Sequence, residues 1–211
     1  MFSLEFFPPD LLEQGPAPTY GADQAMARWI DQIRPLLALP LDFVSVTNGA
    51  TGAASDNSLV AIKALRGECS SPIMAHMIGL DKSPSDALDF LTDFAHDGGK
   101  QLLVLRGDKR PTVGKPHFNR ATDLMAFVQK TMPGRFQFAV AGYPEMHPED
   151  QSLEHGLEVL KRKVDLGANK VVTQFCFEST AVLKWRDRVA ASLPDLEIHL
   201  GVLPIRNIDQ A

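Results

Sequence analysis

QLLVLRGD, residues 101–108, sets the reading of the whole chain. An apolar run of strand length ends abruptly in Arg106, Gly107 and Asp108. Such a run belongs to a strand covered on both faces, the condition of strands in a parallel sheet. Two further segments share the pattern: FQFAVAG at 136–142 and KVVTQFCF at 170–177. Working outward, strands are predicted over 3–7, 42–47, 72–77, 101–106, 136–142, 170–176 and 197–203. Their starts lie 27 to 39 residues apart, enough for a helix in every gap.

Those gaps carry helical signals. Residues 23–38 place Met26, Ile30, Ile33 and Leu37 on one stripe. Ser83-Pro84-Ser85-Asp86 reads as an N-cap, a proline at the first helical position and an acid in the first turn, with Leu88, Leu91 and Phe94 as the buried face. Helices are also expected over 153–166 and 180–193. Gly98, Gly99, Gly167 and Pro194 stand where helices should stop.

A sustained βα repeat fits an open doubly wound sheet or a (βα)8 barrel of the TIM type. The polar residues favour the barrel. Glu5, Thr47, His76, the Arg106–Asp108 turn, Tyr143, His147 and Gln174 all fall at C-terminal strand ends, which converge on one face in a barrel. Seven strands are legible and a closed barrel has eight. The eighth is expected to be absent from this chain, leaving a gap between the first and seventh strands that something must cover. With 211 residues and no linker, a single domain over 1–211 is expected, C-terminally incomplete as a barrel.

Composition narrows the function. Hydrophobic residues are 45% and charged residues 22% of the chain, an ordinary globular balance. A net charge of −5 and the lack of any basic run argue against nucleic acid as a partner. Cys69 and Cys176 are far apart, so neither a disulfide scaffold nor a zinc site is expected. The six histidines are scattered, and no metal is expected. MFSLEFFPPD lacks a basic n-region, and no apolar run reaches membrane-spanning length. A cytoplasmic protein without a membrane partner is the expectation.

Six strings in order resemble the methylenetetrahydrofolate reductase family: SLEFFPP at 3–9, SVTNGA at 45–50, LLVLRGD at 102–108, AGYPEMHPE at 141–149, LKRKVDLGANKVVTQ at 160–174 and GVLPI at 201–205. The resemblance implies an FAD-dependent oxidoreductase. In that family FAD takes a hydride from NADH or NADPH and passes it to 5,10-methylenetetrahydrofolate, giving 5-methyltetrahydrofolate in a ping-pong cycle. The missing GxGxxG fingerprint is compatible, since a barrel flavoprotein need not use a Rossmann turn.

By that resemblance Glu5 is the general acid for folate ring opening. An acid on an apolar strand also fits a raised pKa. Asp108 is implied to tune the flavin and contact the pterin, and Gln174 to hydrogen-bond the folate. Thr47, Asn48, Ala50, His76, Arg106, Gly107, Asp108, Tyr143, His147, Arg162 and Lys163 match FAD-contact positions, with the two cations of residues 162–163 meeting phosphates. Without the resemblance, a lone histidine there is more often a packed, hydrogen-bonded residue than a ligand, and the two cations fit a solvated helix face about as well as a phosphate site.

Four positions depart from the family pattern. Polar FAD contacts are expected where this chain has Gly156 and Val159. The family's second-strand tyrosine is Asn48, and its seventh-strand aromatic, which stacks on folate or nicotinamide, is Ile208. Two other classes compete with the reductase. One is a truncated, non-catalytic or partner-dependent folate- or flavin-binding relative. The other is a folate-dependent methyltransferase, against which Glu5 and the LRGD turn count. The open edge and family habit favour a homo-oligomer.

Overall fold

A computed structural model of the chain describes residues 2–9, 21–48, 56–80, 82–108, 116–150 and 152–204. Strands and helices alternate in the order β1 (Leu4–Phe6), α1 (Ala22–Leu37), β2 (Val44–Val46), α2 (Asp56–Arg66), β3 (Ile73–Ile78), α3 (Pro84–His96), β4 (Gln101–Leu105), α4 (Ala121–Thr131), β5 (Gln137–Gly142), α5 (Leu153–Asp165), β6 (Ala168–Thr173), α6 (Ser179–Ser192) and β7 (Glu197–His199). All seven strands are parallel and pair in sequence order. This is the half-barrel expected from the βα repeat, and an eighth strand is not seen among the described residues.

The apolar strand runs are explained by two cores. On β4, Leu102 and Val104 face outward and pack with Val44, Val46, Ala75, Met77, Phe138, Val140 and the helices. Leu103 faces inward, joining Phe43, Met74 and Ala139 in a smaller cluster. The Phe43 and His199 rings meet edge-on at 5.0 Å, although Phe43 just precedes β2 and His199 ends β7, strands five positions apart in the sheet. A flat sheet would hold strands so far apart well beyond contact, at about 4.8 Å per strand. The sheet is therefore curled, and its inner face is lined by side chains.

Local signals behave as read. Ser83 Oγ accepts from the Asp86 amide at 3.2 Å, and the Ser83 amide donates to Asp86 Oδ2 at 3.1 Å, a complete capping box ahead of Pro84. Gly98 and Gly167 take positive φ, 79° and 93°, just past α3 and α5. Met26, Ile30, Ile33 and Leu37 are buried on α1.

Some expectations need correction. Leu88 is exposed, because α3 buries the stripe Ala87, Phe90, Leu91 and Phe94 and position 88 lies one step of about 100° away from it. Strand ends were read too long. β6 stops at Thr173 and β7 at His199, so Gln174 and Gly201 sit beyond their strands. Apolarity continues past these ends because Phe175, Phe177, Leu200 and Val202 are exposed rather than packed in the sheet. Among the described residues no helix is long and apolar enough to cross a membrane.

Candidate functional site

The ends of β1, β2 and β3 bring together Glu5, Ser45, Thr47, Asn48 and His76. Glu5 pairs in register with Ser45, so both side chains point to the inner face. Two residues further on, Thr47 takes the same face just past β2. The Ser45 hydroxyl hydrogen-bonds the Glu5 carboxyl, which tends to lower its pKa. Desolvation outweighs it, and the Glu5 pKa lies above the usual glutamate value. Its side chain nevertheless keeps 45% exposure, so one side stays open to the mouth of the sheet.

His76 is fully enclosed. Its Nε2 lies 3.5 Å from Glu5 Oε2, too long and poorly aimed for a hydrogen bond. Burial pushes its pKa down to about 4, so it is neutral at neutral pH. Among the described residues, Thr47 Oγ1, Asn48 Nδ2 and His76 Nε2 are all buried without a hydrogen-bond partner. Three orphaned polar atoms at adjacent strand ends are unusual, since buried polar groups are almost always paired.

At the end of β4, Gly107 has φ +87° and lies tight against β3, where a Cβ would meet Ile78 Cγ2 at 2.3 Å. Only glycine fits the turn. The Arg106 guanidinium pairs with the Glu149 carboxylate and donates from Nε to the Gly107 carbonyl at 3.3 Å. Arg106 thus ties the β4 turn to the loop after β5. Asp108 is exposed beside it.

A cavity of about 540 Å³ opens between the ends of β4 and β5 and helices α4 and α5. That size falls within the roughly 300–1,000 Å³ of small-molecule sites. Arg106, Tyr143, His147, Arg162 and Lys163 all line it. Tyr143 and His147 pack edge-on at 4.6 Å, and desolvation raises the Tyr143 pKa. The Glu149 amide donates to His147 Nδ1 at 3.1 Å. Lys163 is buried, donates to the Ala141 carbonyl at 3.0 Å and is pushed down to about 8 by desolvation. Arg162 next to it is exposed. The two cations therefore divide: one is a solvated helix-face residue at the cavity rim, the other an interior group.

Gln174 lies outside the cavity lining, at the end of β6, with its amide donating to the Gly142 carbonyl at 2.8 Å and its side chain exposed. Ala50 and Ile208 lie outside the described residues. The sequence reading missed Ser45, Asp150, His155 and Trp185. Ser45 was within reach: alternation along β2 puts it on the Glu5 face. Trp185 on α6 lies over Gly142, where a Cβ would meet its ring at 2.7 Å, and nothing local in the sequence announces that packing. Among the described residues no group of three or more His, Cys, Asp or Glu is placed to hold a metal ion.

A curled parallel βα sheet with its polar residues gathered at the C-terminal strand ends defines a protein of the TIM-barrel type with a site at that face. The chain belongs to the methylenetetrahydrofolate reductase family, whose model matches residues 1–211. It is 36% identical over 209 residues to 5,10-methylenetetrahydrofolate reductase of Escherichia coli (strain K12), and 35% identical to that of Salmonella typhimurium. Each match covers 99% of this chain and 66% of the relative, so the chain spans about two thirds of their length. Among solved structures, a Clostridium thermocellum protein described as binding two copies of 5-methyl-5,6,7,8-tetrahydrofolic acid superposes with a TM-score of 0.65 at 11% identity, covering 95% of this chain and 65% of that one. At that identity the likeness concerns the fold.

Proposed function

We propose that this chain carries the FAD-dependent reduction of 5,10-methylenetetrahydrofolate to 5-methyltetrahydrofolate, with NADH or NADPH as the electron donor. The observation that carries the reading is the set of orphaned buried atoms on Thr47, Asn48 and His76, adjacent to Glu5. Buried polar atoms with no partner among the described residues leave hydrogen-bonding capacity that a polar ligand can take up. Their chemistry fits the polar groups of a flavin, and the Lys163 and Arg162 cations that line the separate cavity between β4, β5, α4 and α5 fit its phosphates. A bound flavin would supply the hydride relay between nicotinamide and folate.

The residues of the chain do the rest. Thr47, Asn48 and His76 would hydrogen-bond the cofactor. Gly107 and the Arg106 backbone would let it approach β4 closely. Asp108 would stand between flavin and pterin, and Gln174 would reach the folate from β6. Glu5 would be the acid. Its desolvated carboxyl is protonated more readily than an ordinary glutamate, and neutral His76 beside it offers no cation to hold the anion. A neutral carboxyl at the open mouth can give its proton to a folate nitrogen as the ring opens.

The test is direct. The protein, reconstituted with FAD, should be yellow and should oxidise NADH or NADPH with menadione as acceptor. A protein that stays colourless under saturating FAD would overturn the reading. A partner-dependent relative is favoured by one observation. Among the described residues each outer strand of the sheet pairs on one side only, and Phe7 and Val202 near those edges are 59% and 83% exposed. FAD retention and catalysis by a monomer in solution would eliminate that second reading.

A further inference from the structure

Asp150 stands where the cavity turns from α5 toward the loop after β5. Its Oδ1 is held by His155 Nδ1 at 3.0 Å, and its side chain keeps 13% exposure. Its other oxygen, Oδ2, turns toward the backbone of Gly156, where a side chain would begin only 3.0 Å away. Among the described residues nothing hydrogen-bonds Oδ2. Asp150, His155, Gly156 and Val159 all line the cavity that Arg162 and Lys163 also line. The acid therefore uses room that exists because position 156 carries no side chain.

An ionised carboxylate accepts hydrogen bonds and cannot donate. Phosphate oxygens are acceptors with negative charge, so Asp150 would repel them, while Lys163 and Arg162 attract them. The ribityl chain and the adenosine ribose adjoin the phosphates of a flavin nucleotide, so with Lys163 and Arg162 holding the phosphates the sugar hydroxyls are the donors nearest to Oδ2. We propose that Asp150, aimed by His155, binds vicinal sugar hydroxyls of the flavin nucleotide and supplies from the loop an acceptor that Gly156 on α5 cannot. The inference rests on the FAD reading above and names a residue that secures the cofactor.

The experiment is a titration of FAD and FMN followed by flavin fluorescence, with thermal melts to verify folding. In D150A the FAD dissociation constant should rise by about 10-fold or more, the range for losing a hydrogen bond to a charged group. A parallel fall in FMN affinity assigns the ribityl hydroxyls. Unchanged FMN affinity assigns the ribose. In D150A/G156D a carboxylate returns to the same space from the helix side, and most of the FAD affinity should return with it. D150N, which keeps the shape and loses the charge, should fall between wild type and D150A.

Unchanged FAD affinity in a folded D150A protein overturns the inference and leaves the flavin reading intact. So does a loss that G156D leaves uncorrected, because Asp150 would then be a brace for the loop through His155, and H155A would reproduce it. Wild-type protein that binds no flavin at all overturns the FAD reading itself.

Discussion

Glu5 Oε2 and His76 Nε2 face each other at 3.5 Å across the ends of β1 and β3, with β2 between them. Burial drives the two groups toward their neutral forms: the carboxyl gains affinity for its proton and the imidazole loses it. The ring is neutral at neutral pH, and the carboxyl beside it holds its proton to a higher pH than an ordinary glutamate does. When protonated, Glu5 can offer its proton to a ligand arriving from the open side.

Glu5→Gln removes the proton and keeps the shape. Reduction of FAD by NADH should stay within a few-fold of wild type, because that half-reaction needs no acid. The folate half-reaction should fall by about 100-fold or more, the usual contribution of a positioned general acid. Stopped-flow measurement of the two halves separates these outcomes. An equal loss in both would make Glu5 structural. In the wild type the folate half should also decline as pH rises through the elevated Glu5 pKa, while the nicotinamide half shows no such limb.

His76 predicts how stability responds to acid. Its folded pKa, about 4, lies below the ordinary histidine value of 6.5. Between those values the unfolded chain binds a proton that the folded chain refuses, so the contribution is complete above pH 6.5 and is lost as pH falls toward 4. The full span corresponds to about 3 kcal/mol. Urea midpoints at pH 7.5, 6 and 5 should therefore fall more steeply for wild type than for H76Q. The raised Glu5 pKa acts in the opposite sense, favouring the folded state as pH drops, so the histidine slope should steepen in an E5Q background. Identical slopes for H76Q and wild type would remove the argument.

Much of this was legible in the sequence for definite physical reasons. The Ser83 cap and the glycine stops are local chemistry, so they survive in any tertiary context. The two-sided apolarity of QLLVL follows from a sheet covered outside by helices and filled inside by Phe43, Met74 and Leu103. The clustering of Glu5, Thr47 and His76 followed from one rule, that barrel strand ends converge. What stayed hidden depended on distance in sequence or on space. Nothing near Lys163 reveals that Ala141, twenty-two residues earlier, accepts its hydrogen bond. Nothing near Gly156 reveals that its missing side chain makes room for Asp150. Strand ends were overrun because Phe175 and Val202 are apolar but exposed, and periodicity cannot tell a buried residue from an exposed one.

Gly107→Ala tests the close approach of β4 to β3. Alanine would be strained at φ +87°, and its Cβ would overlap Ile78 Cγ2. Backbone strain of this kind is worth about 1–3 kcal/mol and core overpacking about as much again. The expected loss is at least about 2 kcal/mol in a denaturant titration. Ile78→Ala removes the clashing methyl but not the strain. The double variant G107A/I78A should then be less destabilised than the sum of the two singles. Strict additivity would show that the clash relaxes elsewhere.

Lys163 links cofactor binding to protons. Desolvation holds its pKa near 8, with Asp150 opposing the shift, so near that pH the free protein carries it partly neutral. An anionic phosphate brought into the cavity stabilises the ammonium form and drives the pKa back up. FAD binding should therefore take up protons, about half a proton per site at pH 8 and more at pH 9. Below pH 7 the lysine is charged in both states, and the uptake should vanish. Calorimetry in buffers of different protonation enthalpy measures the number directly. K163M should bind more weakly and without pH-dependent uptake. If K163M takes up the same number of protons as wild type, another group carries them and Lys163 does not meet the phosphates.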